Sequence, residues 1–151
     1  MVRMNVEQEI ISILLNRPAN KTLANINADW FTTANLRWAY EAIMDLDDNQ
    51  VDPLNVYGYM KKAHPDSSIQ LKELNAYHRG FVTDGNLPML VKELRHNHLS
   101  LKLDRDMRAY HDAPTDANRQ QVHETMDLLD NLETVNDDGS LENEFQRFVS
   151  I

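Results

Sequence analysis

Hydrophobic residues recur every three or four positions along most of the chain, which is the period of one face of an α-helix. Two long runs of this kind flank Ala113-Pro114. Pro114 lacks an N–H donor and disfavours the α conformation at Ala113, so a helix must stop there, and the hydroxyl of Thr115 can cap the next one. Helices joined by so short a loop run antiparallel. The pattern predicts an antiparallel helical hairpin over residues 86–135.

The first 82 residues show shorter helical patterns, each with its own start or stop signal. Asn5 followed by Gln8 is a capping box, and Pro18 ends the helix that this box begins. Asp52-Pro53 places a capping carboxylate just before a proline that is tolerated at the first helical position. Thr32 or Thr33 is expected to cap a helix that reaches about residue 48, and Ser68 to cap the last one. No segment alternates apolar and polar residues, so the predicted fold class is all-α: a globular helical head followed by the hairpin.

A two-helix hairpin can hide only one stripe of each helix, so its apolar faces normally need a neighbouring copy or domain. The residues predicted to form such a protein interface are Leu90, Leu94, His98, Leu101, Val122, Met126 and Leu129. His98 is read either as a partly exposed histidine or as a pH switch. Trp38 lies off the apolar stripe of its helix, so it marks either a contact surface or a helix that is buried on two sides.

The last segment, residues 136–151, is predicted to be a flexible linker with a short amphipathic tail. Leu141, Phe145, Phe148 and Val149 align on one side of this tail. Phe145 and Phe148 are the residues expected to dock it. The tail either packs on its own domain, docks on a neighbour, or leads into a further domain.

Charge and composition restrict the class of function. Aspartate and glutamate outnumber lysine and arginine by 24 to 15, which gives a formal net charge of −9. Such a surface repels phosphates, so direct DNA binding is disfavoured. Cysteine is absent, so disulfides and thiolate zinc sites are excluded. We expect a cytoplasmic protein, because the sequence shows neither a signal peptide nor a transmembrane run.

No catalytic or metal-binding motif is complete. His96 and His98 are two residues apart and point in different directions on a helix, and Asp127 stands where a zinc-protease helix needs its second histidine after His123. The acidic run from Asp45 imitates a calcium loop but lacks its glycine and its bidentate glutamate. No phosphate-binding loop of the Walker type occurs either. We therefore expect a chain that is not an enzyme and needs no cofactor.

The order of these elements resembles the N-terminal domain of the replicative DNA helicase DnaB family. The resemblance rests on several short segments spread over residues 5–135, each weak alone but in the family's order. They are residues 7–18 (EQEIISILLNRP), 28–31 (ADWF), 37–43 (RWAYEAI), 51–56 (VDPLNV), 71–74 (LKEL) and 90–93 (LVKE). The family's motor domain has no counterpart in these 151 residues, so the resemblance assigns no ATP hydrolysis to them.

The resemblance implies a non-catalytic assembly domain in which hairpins pair subunits and the pairs build a ring-shaped collar. In that family the collar receives the primase and sometimes a helicase loader, so the expected partners are further copies of the chain, a primase or a loader. The alternative is a stand-alone relative, for example from a phage, that binds a helicase and acts as its loader or inhibitor. A small acid–base or metal enzyme is a third possibility, for which the sequence offers no motif.

Overall fold

The computed structural model describes residues 4–137 of the chain, with side chains as far as Leu132. Within that range it contains seven α-helices and no strand, so the all-α fold class is confirmed. The helices are α1 (Val6–Asn16), α2 (Asn20–Ala24), α3 (Ala34–Asp45), α4 (Pro53–Ala63), α5 (Leu71–Arg79), α6 (Leu87–Asp112) and α7 (Asp116–Asp137). Two short 3-10 turns, Ala28–Trp30 and Asp48–Gln50, precede α3 and α4.

The chain divides into two compact units, Met1–Leu94 and Arg95–Ile151. The boundary lies inside α6, although the sequence pattern had placed the start of the hairpin at residue 86. Leu87, Leu90 and Leu94 belong to the hydrophobic core of the first unit, so the opening turns of α6 are part of that unit.

Local capping signals start several helices of the first unit. Asn5 Oδ1 accepts a hydrogen bond from Gln8 N at 2.9 Å, and Gln8 Oε1 accepts one from Asn5 N at 3.0 Å, which completes the predicted capping box. Asp52 Oδ1 accepts from Asn55 N at 2.7 Å at the start of α4, again as predicted. These bonds satisfy backbone donors that a helix cannot pair internally.

The prediction for the start of α5 was wrong. Ser68 does not cap this helix, since it lies two residues before the N-cap position, Gln70, and its hydroxyl accepts a hydrogen bond from the Asn35 side chain at 2.9 Å. The helix instead begins after Gln70, whose N–H donates to the Glu73 carboxylate at 2.8 Å. The start of this helix is thus marked by a local bond between residues three positions apart.

Helix α1 is the centre of the first unit, packed between α3 and α5, and α4 closes the other side of both. Its central residues are almost completely covered, which explains why the run that follows the capping box is apolar apart from Ser12. The core of the unit is formed by Ile10, Ile11, Leu14, Phe31, Ala39, Ile43, Val56, Met60 and Leu74, among others.

Candidate functional site

The second unit is a helical hairpin whose turn is fixed by side chains near Pro114. Thr115 Oγ1 accepts a hydrogen bond from Asn118 N at 3.1 Å, which is the capping role predicted for it. The Asn118 amide group donates to Ala109 O at 3.3 Å and to Ala113 O at 2.9 Å, so the start of α7 is tied to the end of α6. These bonds hold the two helices antiparallel at the turn.

A cluster of three polar side chains joins the helices farther along. Thr125 Oγ1 donates to Asp106 Oδ2 at 2.6 Å, and Lys102 Nζ donates to that same oxygen at 3.0 Å and to Thr125 Oγ1 at 3.1 Å. Thr125 is completely buried, and its hydroxyl both donates and accepts. Because every member has a partner, the cluster avoids the cost of an unsatisfied buried polar group.

The pKa of Asp106 reflects this arrangement. Burial opposes ionisation, but the hydrogen bonds from Thr125 and Lys102 and the charges of Lys102 and Arg105 outweigh it. The pKa of Asp106 therefore lies below its ordinary value, and the cluster is held together around a carboxylate.

The polar cluster identifies the seam between the helices. Asp106 and Thr125 meet across it, and residues three, four or seven positions away on each helix share the same face. Leu99 and Leu132, each seven residues from one of these two, are both buried. In heptad lettering the a positions of the seam are Leu103 and Tyr110 on α6 and Val122 and Leu129 on α7. The d positions are Leu99 and Asp106 on α6 and Asn118, Thr125 and Leu132 on α7.

One edge of the hairpin carries exposed apolar side chains. In an antiparallel helix pair the e positions of both helices lie on the same edge, and the g positions lie on the other. Met107 and Met126 are e positions that directly follow the bonded pair Asp106 and Thr125, so they lie within about one turn of each other along the hairpin. They are 53 % and 44 % exposed. Leu103, Val122 and Leu129 are half-buried beside them. These five residues are called the apolar edge below.

The opposite edge carries a different set of side chains. Its g positions are Lys102, Ala109, Gln121 and Leu128. Leu128 is 42 % exposed, nearly the same fraction as Met126 two residues earlier. Helix α7 thus carries one large apolar residue of similar exposure on each edge, Met126 and Leu128, so a substitution can alter one edge without altering the other.

The predicted interface residues fall into three groups. Leu90 and Leu94 are buried in the core of the first unit and are unavailable to a partner. Leu101, seven residues after Leu94 on the same face of α6, is 49 % exposed, and His98 is half-buried. Val122, Met126 and Leu129 belong to the apolar edge. Phe145 and Phe148, the predicted docking residues of the tail, lie outside the described residues.

Sequence reasoning missed Met107 and the polar cluster. It followed the stripe from Leu87 to Leu101, whose residues up to Leu94 serve the core of the first unit, and overlooked a second stripe on the opposite side of the same helix. The spacing of Leu99, Leu103, Asp106 and Tyr110 carried that signal, but an aspartate in the middle of it interrupts the apolar pattern.

Comparison of the chain with known protein families, with curated proteins and with solved structures found no match. Among residues 4–137 no helix combines the length and the apolar character needed to cross a membrane. In the same part of the chain no three histidine or carboxylate side chains lie close enough together to hold a metal ion. The acidic run from Asp45 to Asp48 is exposed to solvent, apart from the half-buried Leu46.

Proposed function

We propose that this chain is a non-catalytic assembly protein whose copies pair through the apolar edge of the hairpin. The proposal draws its biological setting from the resemblance to the collar domain of replicative DNA helicases, where hairpins pair subunits. In that setting the paired form would dock a primase or a helicase loader. The observation that carries the proposal is the pair of exposed methionines, Met107 and Met126, on one edge of the hairpin.

A second copy is a suitable cover for this edge. Two hairpins that meet edge to edge form a four-helix arrangement in which each copy buries the other's methionines, and the same patch serves both subunits. Full burial of a methionine side chain contributes about 1.5–3 kcal/mol. Methionine also adapts its shape to an irregular contact, which favours its use at binding surfaces.

The experiment is a measurement of mass in solution for variants of the two edges. We expect the wild-type chain to be a dimer or a larger ring by light scattering. Met107→Glu and Met126→Glu should each reduce it to a monomer with unchanged helical circular dichroism, because a carboxylate would have to be desolvated in the interface.

Leu128→Glu is the matched control, since it places the same charge on the same helix but on the other edge. It should leave the mass of the oligomer unchanged. A wild-type chain that is monomeric at high concentration would contradict the proposal, and so would a loss of pairing in Leu128→Glu alone.

A further inference from the structure

A cleft of about 400 Å³ lies on the first unit, beside helix α3 and the end of α4. It is separate from the apolar edge and uses none of its residues. Aromatic rings and carboxylates together form its walls. The lining residues that matter for the argument are Trp38, Tyr40, Glu41, Asp45, Tyr59 and His64.

Contacts within the unit hold the rings of the cleft in place. The Trp38 and His64 rings are stacked, with centroids 4.2 Å apart and planes 11° from parallel. Tyr40 donates its hydroxyl to Ile26 O at 2.8 Å, and Tyr59 donates its hydroxyl to the Asp45 carboxylate. A ligand would therefore meet a surface that is already ordered, which lowers the entropic cost of binding.

The cleft carries negative charge. Trp38, Glu41 and Asp45 are spaced by three and four residues, so they follow one another along one face of α3. His64 Nε2 is 3.9 Å from the Glu41 carboxylate, which is longer than a hydrogen bond. The pKa of Tyr59 is raised by its hydrogen bond to Asp45, by burial, and by the charges of Asp45 and Glu41. Because His64 Nε2 is too far from it to donate a hydrogen bond, the Glu41 carboxylate remains able to accept hydrogen bonds from a ligand.

These features select the chemistry of the occupant. Two carboxylates disfavour an anion, and an uncharged apolar group would cover them without compensation. A metal ion is disfavoured because the described residues contain no cluster of three ligating side chains. A cation with a flat apolar face matches both kinds of wall, since it can stack on a ring and bond to a carboxylate.

We propose that this cleft binds the guanidinium group of an arginine carried by a protein partner. The guanidinium would lie against the aromatic wall and donate hydrogen bonds to Glu41. Arginine suits the cleft better than lysine, because its planar group stacks on rings and bonds to carboxylates through two N–H groups at once. The net charge of −9 on the chain also favours a partner with a basic surface.

The test is a titration of the 151-residue chain with acetyl-arginine amide, followed by the indole N–H signal of Trp38 in nitrogen–proton NMR spectra. Trp38→Phe identifies this signal against that of Trp30. We expect a saturable shift with acetyl-arginine amide, a smaller one with acetyl-lysine amide and none with acetyl-citrulline amide, which has the same shape without the charge.

Variants of the walls make the test specific. Combined Glu41→Gln and Asp45→Asn should weaken binding of the arginine probe by about tenfold or more. Glu93→Gln, which neutralises an exposed carboxylate of the same unit outside the cleft, should leave it unchanged. Equal shifts with arginine and citrulline, equal binding of lysine, or unchanged binding in the double variant would each overturn the proposal. Because the probe is a single amino acid, the result does not depend on whether copies pair.

Discussion

At the scale of single residues, the polar cluster in the hairpin seam determines how α6 and α7 align. Thr125 bonds to both Asp106 and Lys102 across the seam in the observed register. After a slip of one turn Lys102 and Asp106, which are four residues apart on α6, would keep their mutual bond, but Thr125 would lose both of its partners across the seam. Polar residues at seam positions of helix pairs characteristically select register in this way, at some cost in stability.

Asp106 makes the stability of the hairpin depend on pH in acid. Its folded pKa lies below the ordinary value of 3.8, so the folded state binds fewer protons than the unfolded state between these two values. The resulting stabilisation is complete above the ordinary pKa and is lost as the pH falls through the folded pKa. We expect the free energy of unfolding to decline as the pH drops below about 3.8.

Other carboxylates titrate in the same range, so the measurement is a difference between variants. Urea unfolding monitored by circular dichroism, from about pH 5 to about pH 2, should show a shallower decline for Asp106→Asn than for the wild type. Asp104→Asn, an exposed position two residues earlier, should follow the wild-type curve. Parallel curves for all three proteins would remove Asp106 from this account.

At the scale of elements, α6 has two apolar stripes on opposite sides. Its first turns contribute Leu87, Leu90 and Leu94 to the core of the first unit, whereas Leu99 and Leu103 belong to the hairpin seam. A helix with apolar residues on both sides shows no single polar face. The boundary between the units inside this helix follows from that change of side.

Leu94 and Leu101 test this division, because they share one face of α6 but differ in burial, at 1 % and 49 % exposed. Leu94→Ala should lower the free energy of unfolding by about 2–5 kcal/mol, since it removes buried methyl groups and leaves a cavity. Leu101→Ala should change it by less than about 0.5 kcal/mol, as expected for a surface position. Urea unfolding of the two variants measures both values, and similar losses would contradict the division.

At the scale of the whole molecule, the formal charge of −9 opposes association of identical copies. Pairing through an apolar edge has to overcome this repulsion, which salt screens. We therefore expect the dissociation constant of the oligomer to fall as salt rises from about 0.05 M to about 0.5 M.

Sedimentation equilibrium at several salt concentrations measures this dependence. Leu128→Glu is again the reference, and it should respond to salt at least as strongly as the wild type because each copy gains one negative charge. Weaker association at high salt would show that opposite charges hold the copies together, and would therefore point to a contact other than the apolar edge.

The sequence by itself determined the helical fold class and the starts of α1, α4 and α7. These features depend on interactions within about one turn: the capping box of Asn5, the Asp52-Pro53 start, and the Thr115 cap after a proline. A residue pattern is sufficient for them, because every group in the bond is close along the chain.

Only the tertiary structure decided how the stripes of α6 are divided, that Ser68 bonds to Asn35, and that Trp38 stacks on His64 beside two carboxylates. Each outcome depends on groups far apart in sequence, whose meeting follows from the packing of whole helices. A periodic pattern tells which residues share a face of a helix, but the neighbour that covers each part of that face is selected by the fold.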